Sequence, residues 1–505
     1  MRRLCAVAAD AEAAGRFCSG RDNAGGTRRS ALAVGVQRPV SGAAVLAAAA
    51  RLAHRSVCGA AGRSRPHSPQ TPGDEALAGR AAGFGKGEWN IVGLAALLII
   101  FGFIVFNYFR FQDPLYPPVL QAGVWFFVLL LFEINKSTFI PVSYSLYGVI
   151  IAGVYTFSLG SFVGTLGFAR DKGRQPLVLP KVRANVASWI IFWLPVVGFP
   201  LFVLRALAIG GSGPTGVFFI DLRLALSREN DPASFGVFAY LVTISFISLA
   251  IEVYKHISGR NRLRLAFAAL LATAYALLAT GRTYIMLPAV MIVGLLLITR
   301  KLSPLKGLLY FVIFGLISFA VMGLIFNKGV DLESSYTENV TSITDSLKIY
   351  MLGSLPAFDQ YMQSDVTFGY GGYMFRFFFA LLDAVGIHAD VPALIQSYQQ
   401  VPMLTNVYTI YQTYYADFSL VGVVLIQFLL GCWHSLLYVN AAKGKLLYML
   451  LYAFFLYPLF MQFFQDQYFN LLSTWLQIIL LLVPYCLLQT RSRAPHLLAE
   501  GSLKQ

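Results

Sequence analysis

The sequence predicts an all-α, polytopic integral membrane protein of about 11 (10–12) transmembrane helices, with one long extracytoplasmic loop over 327–416. Three observations carry that expectation. Of 505 residues, 57% are hydrophobic and 12% are charged, half the charge of a soluble domain at about 25%. Apolar runs of the ~20 residues that cross a hydrocarbon core recur along the chain. The bases crowd into alternate connections between those runs, as on the cytoplasmic side of membrane proteins. An ordinary soluble enzyme is excluded, and so is disorder over most of the chain. The net charge of +15 would suit nucleic acid, but its distribution points elsewhere.

Residues 1–87 hold twelve Arg and one Lys against five acids, so about +8 of the +15 lies there. The segment is rich in Ala, Gly, Arg and Ser and nearly lacks aromatics, so it cannot bury enough apolar surface to fold. It is expected to be a disordered basic leader. One reading makes it an arm for anionic lipid. The favoured reading is a translated stretch upstream of a mis-assigned start, because the next Met after Met1 is Met286. Of the five Cys, Cys5, Cys18 and Cys58 lie here, and Cys432 and Cys486 lie in apolar runs. That spacing gives neither a metal site nor a disulfide framework.

The membrane domain is placed at 88–490, with 491–505 as a cytoplasmic tail. Its apolar runs fall near 90–109, 118–134, 142–168, 187–207, 234–254, 265–281, 283–299, 307–326, 417–440, 446–462 and 468–489. Arg170, Lys172, Arg174, Lys181 and Arg183 fill the third connection; Lys255, Arg260, Arg262 and Arg264 fill the fifth. Arg300, Lys301 and Lys306 fill the seventh, Lys443 and Lys445 the ninth, and Arg491 and Arg493 follow the last run. All are assigned to the cytoplasm. Eleven crossings then leave the N-terminus outside, at odds with a basic arm there.

The opposite side receives 208–233 and the 90 residues of 327–416, which carry eight acids and three bases, Lys328, Lys348 and Arg376. Within it, YMFRFFFALLDAVGI (373–387) reads as an interfacial or re-entrant helix. Loops of this length are usually functional.

No Gly-rich phosphate loop, HExxH or Cys/His metal spacing is present, so nucleotide chemistry has no visible support. The candidates are charged residues in apolar or membrane-edge settings. Arg282, in LLATGRTYIMLPAV, sits in a tight outer turn, where a guanidinium offers a fork of donors to phosphate. The plain alternative is an Arg snorkelling to lipid headgroups. Arg223, in FFIDLRLAL, is a second outer cation, which Asp221 could simply pair. Arg376, in YMFRFFF, is a third. Asp417, in YYADFSLVG, opens a helix; it is a candidate catalytic acid or base, or an acid favoured by the helix dipole. Asp359, in LGSLPAFDQYM, is the other candidate. Asn406, Tyr408 and Thr409 form a polar, aromatic approach that suits a sugar, although Tyr belts are ordinary at that depth. His388 and His434 read as plain loop or helix residues.

Three stretches in order, TGRT (280–283), YMLGSLPAFDQYM (350–362) and TNVYTIYQTYYADFSLVG (405–422), with a long outer loop between the first and the last, carry a resemblance. Over roughly 90–490 the chain resembles the O-antigen polymerase (Wzy-type), or oligosaccharide repeat-unit polymerase, family. The usual Gly after the Asp-Phe pair is Ser419 here. The resemblance implies a multi-pass protein of the bacterial inner membrane. Such a protein joins undecaprenyl-diphosphate-linked oligosaccharide units into O-antigen, capsular or exopolysaccharide on the outer face. It implies metal-independent glycosyl transfer with no cofactor. The bilayer, a chain-length regulator and a flippase are the expected partners, and nucleic acid is not. Arg282, Asp417 and Asp359 are then assigned to catalysis. Arg223, Arg376, Asn406, Tyr408 and Thr409 are assigned to substrate. The alternatives are an O-antigen-ligase-like transferase, a flippase or transporter of lipid-linked sugar, and a non-enzymatic assembly partner. A transporter would be expected to show paired repeats with broken helices, and no second copy of the loop or the GRT turn is present.

Overall fold

The computed structural model describes residues 91–166, 179–182, 185–211, 213–228, 233–259, 262–326, 347–364, 366–393 and 396–491. The leader, the segment 492–505, the loop section 327–346 and the basic residues Arg170, Lys172, Arg174, Arg183 and Arg260 lie outside the described residues.

Each of the eleven apolar runs is a helix. In chain order these are α1 (Ile91–Phe111), α2 (Pro117–Asn135), α3 (Tyr144–Gly164), α4 (Val186–Gly210), α6 (Ala239–Ile257), α7 (Arg262–Leu278), α8 (Arg282–Ile298), α9 (Pro304–Phe326), α12 (Ile410–Ala442), α13 (Leu446–Phe460) and α14 (Leu472–Arg491). Short helices fill the connections: α5 (Phe218–Leu226) in the first outer loop, α10 (Ser354–Gln363) and α11 (Arg376–Ala384) in the long one. A two-stranded antiparallel hairpin, β1 (Gln399–Gln400) and β2 (Leu404–Thr405), sets Gln399 opposite Thr405. The molecule is a polytopic membrane protein: seven helices are long and apolar enough to cross a bilayer, namely α1 to α4, α6, α12 and α14. α8 and α13 are apolar but shorter, α9 is counted only over Pro304–Ser318, and α7 has 17 residues and starts on Arg262. The expected number of eleven crossings therefore exceeds what length and composition alone support.

The centre is the pair α3 and α12, which run parallel and close together. A Cβ on Gly160 would overlap the Phe428 carbonyl, and one on Gly431 would overlap the Phe157 carbonyl. The small residues bring the two backbones into contact, the usual device for helix association in lipid. Ser161 donates to the Gly431 carbonyl at 3.1 Å across this seam.

α12 differs from expectation at its start. The helix begins at Ile410, seven residues before Asp417, and its regular geometry breaks at Phe418 and Ser419. Asp417 therefore closes a short buried helix, and the apolar span begins after the break. The interfacial helix expected within 373–387 is α11; it buries none of its residues and exposes Phe378, Leu381 and Leu382.

Contacts between distant segments sort the helix ends into two groups. Tyr438, late in α12, donates to Asp113 at 3.0 Å, and Tyr452 of α13 donates to the Leu115 carbonyl at 2.6 Å. This end carries the 443–445 lysines. At the other end, Ser143 before α3 meets Asp359 of α10, and Thr283 of α8 meets Tyr457 of α13.

α13 spans 15 residues, roughly 22 Å at 1.5 Å per residue, against about 30 Å of hydrocarbon. The chain then turns irregularly through 461–471 before α14. Gln462 and Asp466 in this stretch are fully buried.

The α3–α12 seam can be tested directly. Gly160→Leu should abolish accumulation of folded protein, whereas Gly148→Leu, with open space at its Cβ, should leave it near wild type. Size-exclusion profiles of purified protein check both.

Candidate site at the loop-bearing end of the bundle

Arg282 is the first residue of α8, at the loop-bearing end. Its guanidinium lies 3.7 Å over the Tyr350 ring. Tyr350 in turn stacks on Phe464 of the 461–471 segment, with centroids 5.2 Å apart and planes 12° from parallel. Arg223 of α5 comes within electrostatic range of both Arg282 and Tyr350. The structure thus brings together two of the three expected arginines, 59 positions apart in sequence, around one phenol. Burial pushes the Arg223 guanidinium down from its ordinary value, and Tyr350 opposes that shift. Guanidiniums keep their charge under such shifts, so two close cations form a local positive potential suited to a polyanion. Asp221, expected as a partner for Arg223, accepts from the Thr215 backbone N–H at 2.9 Å.

Arg376 sits elsewhere in the loop, half-buried at the start of α11, with its Nε donating to the Pro392 carbonyl at 2.8 Å. Burial lowers its pKa from the ordinary value. Asp417 holds the turn just before it: its carboxylate accepts from the backbone N–H groups of Tyr373 (3.1 Å) and Met374 (2.8 Å). Gly369 N–H donates to the adjoining Ala416 carbonyl at 3.0 Å. Ser419 follows at φ 56° and ψ −152°, close to a region that essentially only glycine occupies. That is the position at which the resembling family carries Gly, so the family's choice has a backbone reason.

Asp359 is 2% exposed. Its carboxylate accepts from the Ser143 N–H (2.8 Å), the Ser143 hydroxyl and Gln363 Nε2 (2.8 Å). Burial raises its pKa, and the Ser143 and Gln363 hydrogen bonds oppose the rise. It fastens α10 to the residue that precedes α3. Tyr408 donates to the Ser397 carbonyl at 2.7 Å and packs edge-on to Tyr361 at 5.9 Å. Thr409 precedes α12, with its hydroxyl buried and without a hydrogen-bond partner. Asn406 is half-buried between the hairpin and α12. Tyr408 and Thr409 are 2% and 1% exposed.

Sequence reasoning missed the 461–471 segment. Gln462 accepts from Trp125 Nε1 at 3.1 Å and from Gln121 Nε2 at 3.4 Å, and that same Gln121 nitrogen lies 3.4 Å from Gln427 Oε1. Asp466 accepts from the Tyr414 hydroxyl (3.2 Å) and the Tyr468 N–H (2.9 Å). The Tyr468 hydroxyl meets His434 Nε2 at 2.7 Å, and aromatic rings surround that imidazole. Tyr457 links Thr283 (3.2 Å) to Gln467 (3.4 Å). The signal was available as MQFFQDQYFN, a polar interruption between two apolar runs. It straddles the gap between the runs at 446–462 and 468–489. Among the described residues, no three His, Cys, Asp or Glu side chains gather as a metal site.

The fold and this end of it define a class: a polytopic helical membrane protein with two arginines near one tyrosine at the loop-bearing end of the bundle. The chain is similar to a curated O-antigen polymerase from Shigella dysenteriae, 24% identical over 377 residues, which is 74% of this chain and 91% of that protein. The similarity supports the O-antigen polymerase resemblance read from the sequence. No family model and no solved structure matches.

Ser419→Gly should relieve the backbone strain and stabilise the protein by about 1 kcal/mol. Thermal unfolding in detergent measures this; a lower midpoint would contradict the strain.

Proposed function

We propose that this protein polymerises oligosaccharide repeat units carried on undecaprenyl diphosphate, at the outer face of the bacterial inner membrane. The observation that carries this reading is the Arg282–Arg223 pair around Tyr350, at the end of the bundle that bears the long loop. The similarity to an O-antigen polymerase over most of both chains supports it.

In this reaction the hydroxyl of one lipid-linked unit attacks the anomeric carbon of another. The new glycosidic C–O bond forms, the bond to diphosphate breaks, the leaving diphosphate keeps the electron pair, and the hydroxyl gives up its proton to that diphosphate or to water. Negative charge therefore grows at the headgroup plane. The paired guanidiniums are placed to receive it, and each can present two parallel donors to phosphate oxygens. Preorganised donors of this kind act where charge develops in the transition state. The Tyr350 ring under Arg282 holds that guanidinium in place through a cation–π contact.

The other expected residues enter with different roles. Arg376 and the Asn406–Tyr408–Thr409 approach bind glycan in the loop. Asp417 and Asp359, assigned to catalysis from the sequence, serve in this reading as positioning residues. Their carboxylates already hold the turn before Arg376 and the junction of α10 with α3. The bases of the other end, Lys443 and Lys445 among them, support a cytoplasmic assignment for that end.

Purified protein incubated with a defined lipid-linked repeat unit should yield a ladder of polymer. Arg282→Ala at equal protein level should slow it by about 10²–10³-fold. Arg282→Lys should recover only part, because an ammonium lacks the planar fork. An unchanged ladder from Arg282→Ala would remove Arg282 from the mechanism. Transfer to a different acceptor without ladders would point to a ligase.

A further inference from the structure

The stretch YMLGSLPAFDQYM opens on Tyr350, a residue to which the sequence assigns no chemistry. It lies four residues before α10 and is half-buried at the loop-bearing end. The Arg282 guanidinium lies 3.7 Å over its ring, and Phe464 stacks on the ring with centroids 5.2 Å apart. Those contacts cover the ring and leave its edge, which carries the hydroxyl. Arg282 also donates a hydrogen bond to the Tyr350 side chain, and Arg223 of α5 lies within electrostatic range of it. The charged groups around this phenol are therefore Arg282 from α8, Arg223 from α5 and, in its own segment, Lys348; Phe464 adds no charge.

A ring that only held an arginine would need no hydroxyl. Phenylalanine would supply the same cation–π face and the same stack. What the phenol adds is a proton that can move. The guanidiniums donate hydrogen bonds but keep their protons. The carboxylates of Asp359 and Asp417 are taken up by Ser143, Gln363 and the 373–374 backbone. Two cations beside a phenol also stabilise the phenolate that proton loss would leave, because nearby opposite charge favours the ionised form. The surroundings of Tyr350 thus suit a group that gives up a proton and takes it back.

We propose that Tyr350 is the catalytic acid of this site, its hydroxyl handing a proton to the diphosphate as it departs, an assignment that rests on the proposed reading of a lipid diphosphate as donor. The O–H bond of Tyr350 breaks as the bond between the anomeric carbon and the diphosphate oxygen breaks. That oxygen keeps the electron pair of the broken C–O bond and gains the proton. The phenolate left between the guanidiniums is reprotonated by the proton that the acceptor hydroxyl releases as it bonds to the anomeric carbon, directly or through water. The net change is one proton moved from acceptor to diphosphate, with Tyr350 restored and no other co-reactant consumed. The arginines then have two tasks at once: they hold the diphosphate, and they make the phenol a better proton donor.

Tyr350→Phe keeps the ring and removes the proton, so it separates chemistry from support. In the full-length protein with a lipid-linked repeat unit, it should lower kcat by about 10²-fold or more and leave KM unchanged. Wild-type turnover should fall at high pH as the phenol ionises, and Tyr350→Phe should lose that fall. Lys348→Gln should keep it, which separates the phenol from the ammonium of the same segment. A Tyr350→Phe variant near wild-type turnover, or one with an unaltered pH profile, would overturn the proposal. A second measurement needs no polymerisation: a fluorotyrosine placed at position 350 and titrated by fluorine NMR in purified protein. It should ionise about 1–3 pH units lower with both arginines present than in the Arg282→Ala, Arg223→Ala background; equal midpoints would overturn the proposal. No ladder from the wild type would remove the polymerase reading itself, whereas a wild-type ladder with no loss in Tyr350→Phe would remove the catalytic acid alone.

Discussion

The structure depends on satisfying a stretch of irregular backbone inside an apolar bundle. Helices solve the hydrogen-bonding problem of a membrane internally, and non-helical chain at that depth is tolerated only where protein or a cavity surrounds it. Residues 461–471 are such a stretch, and their neighbours supply the missing partners. Ile410 N–H donates to the Gln462 carbonyl at 2.8 Å, Ser354 to the Phe463 carbonyl at 2.5 Å, and Trp475 to the Gln467 carbonyl at 2.9 Å. Asp466, fully buried, turns its carboxylate back onto its own segment and onto Tyr414. An unpaired group in that position would cost about 1–3 kcal/mol, so the segment can adopt few other shapes.

That constraint passes outward through aromatic contacts. Phe464 stacks on Tyr350, which carries Arg282. Phe469 packs edge-on to Phe375, beside Arg376, with centroids 5.8 Å apart. One buried segment thus supports both cationic regions of the loop-bearing end. The tight α3–α12 seam and the break at Ser419 set the frame around it, because the short helix before the break delivers Tyr411 and Tyr414 to the interior.

Much of this was legible in the sequence. Helix positions follow from apolar run length, and all eleven runs became helices because a hydrophobic stretch in lipid has no better option. Arg282 stood out because a lone cation between two apolar runs is costly. Its pairing with Arg223 was not, since nothing local relates residues of α5 to α8. Asp359 and Asp417 stood out as acids in apolar surroundings. Their hydrogen bonds to Ser143 and to the 373–374 backbone depend on tertiary contacts that no spacing reveals. The 461–471 segment was hidden for the opposite reason: its Gln, Tyr and Asp side chains look like the polar margin of a helix until the fold buries them.

A double-mutant cycle between Arg282→Ala and Phe464→Leu tests the central claim most directly, with polymerisation of a lipid-linked repeat unit as the readout. If Phe464 acts by holding Tyr350 beneath Arg282, the two substitutions together should slow the reaction little more than Arg282→Ala alone. The single Phe464→Leu variant should itself be slower than wild type. Fully additive effects, as for independent sites, would show that the buried segment does not position the arginine, and would contradict the account.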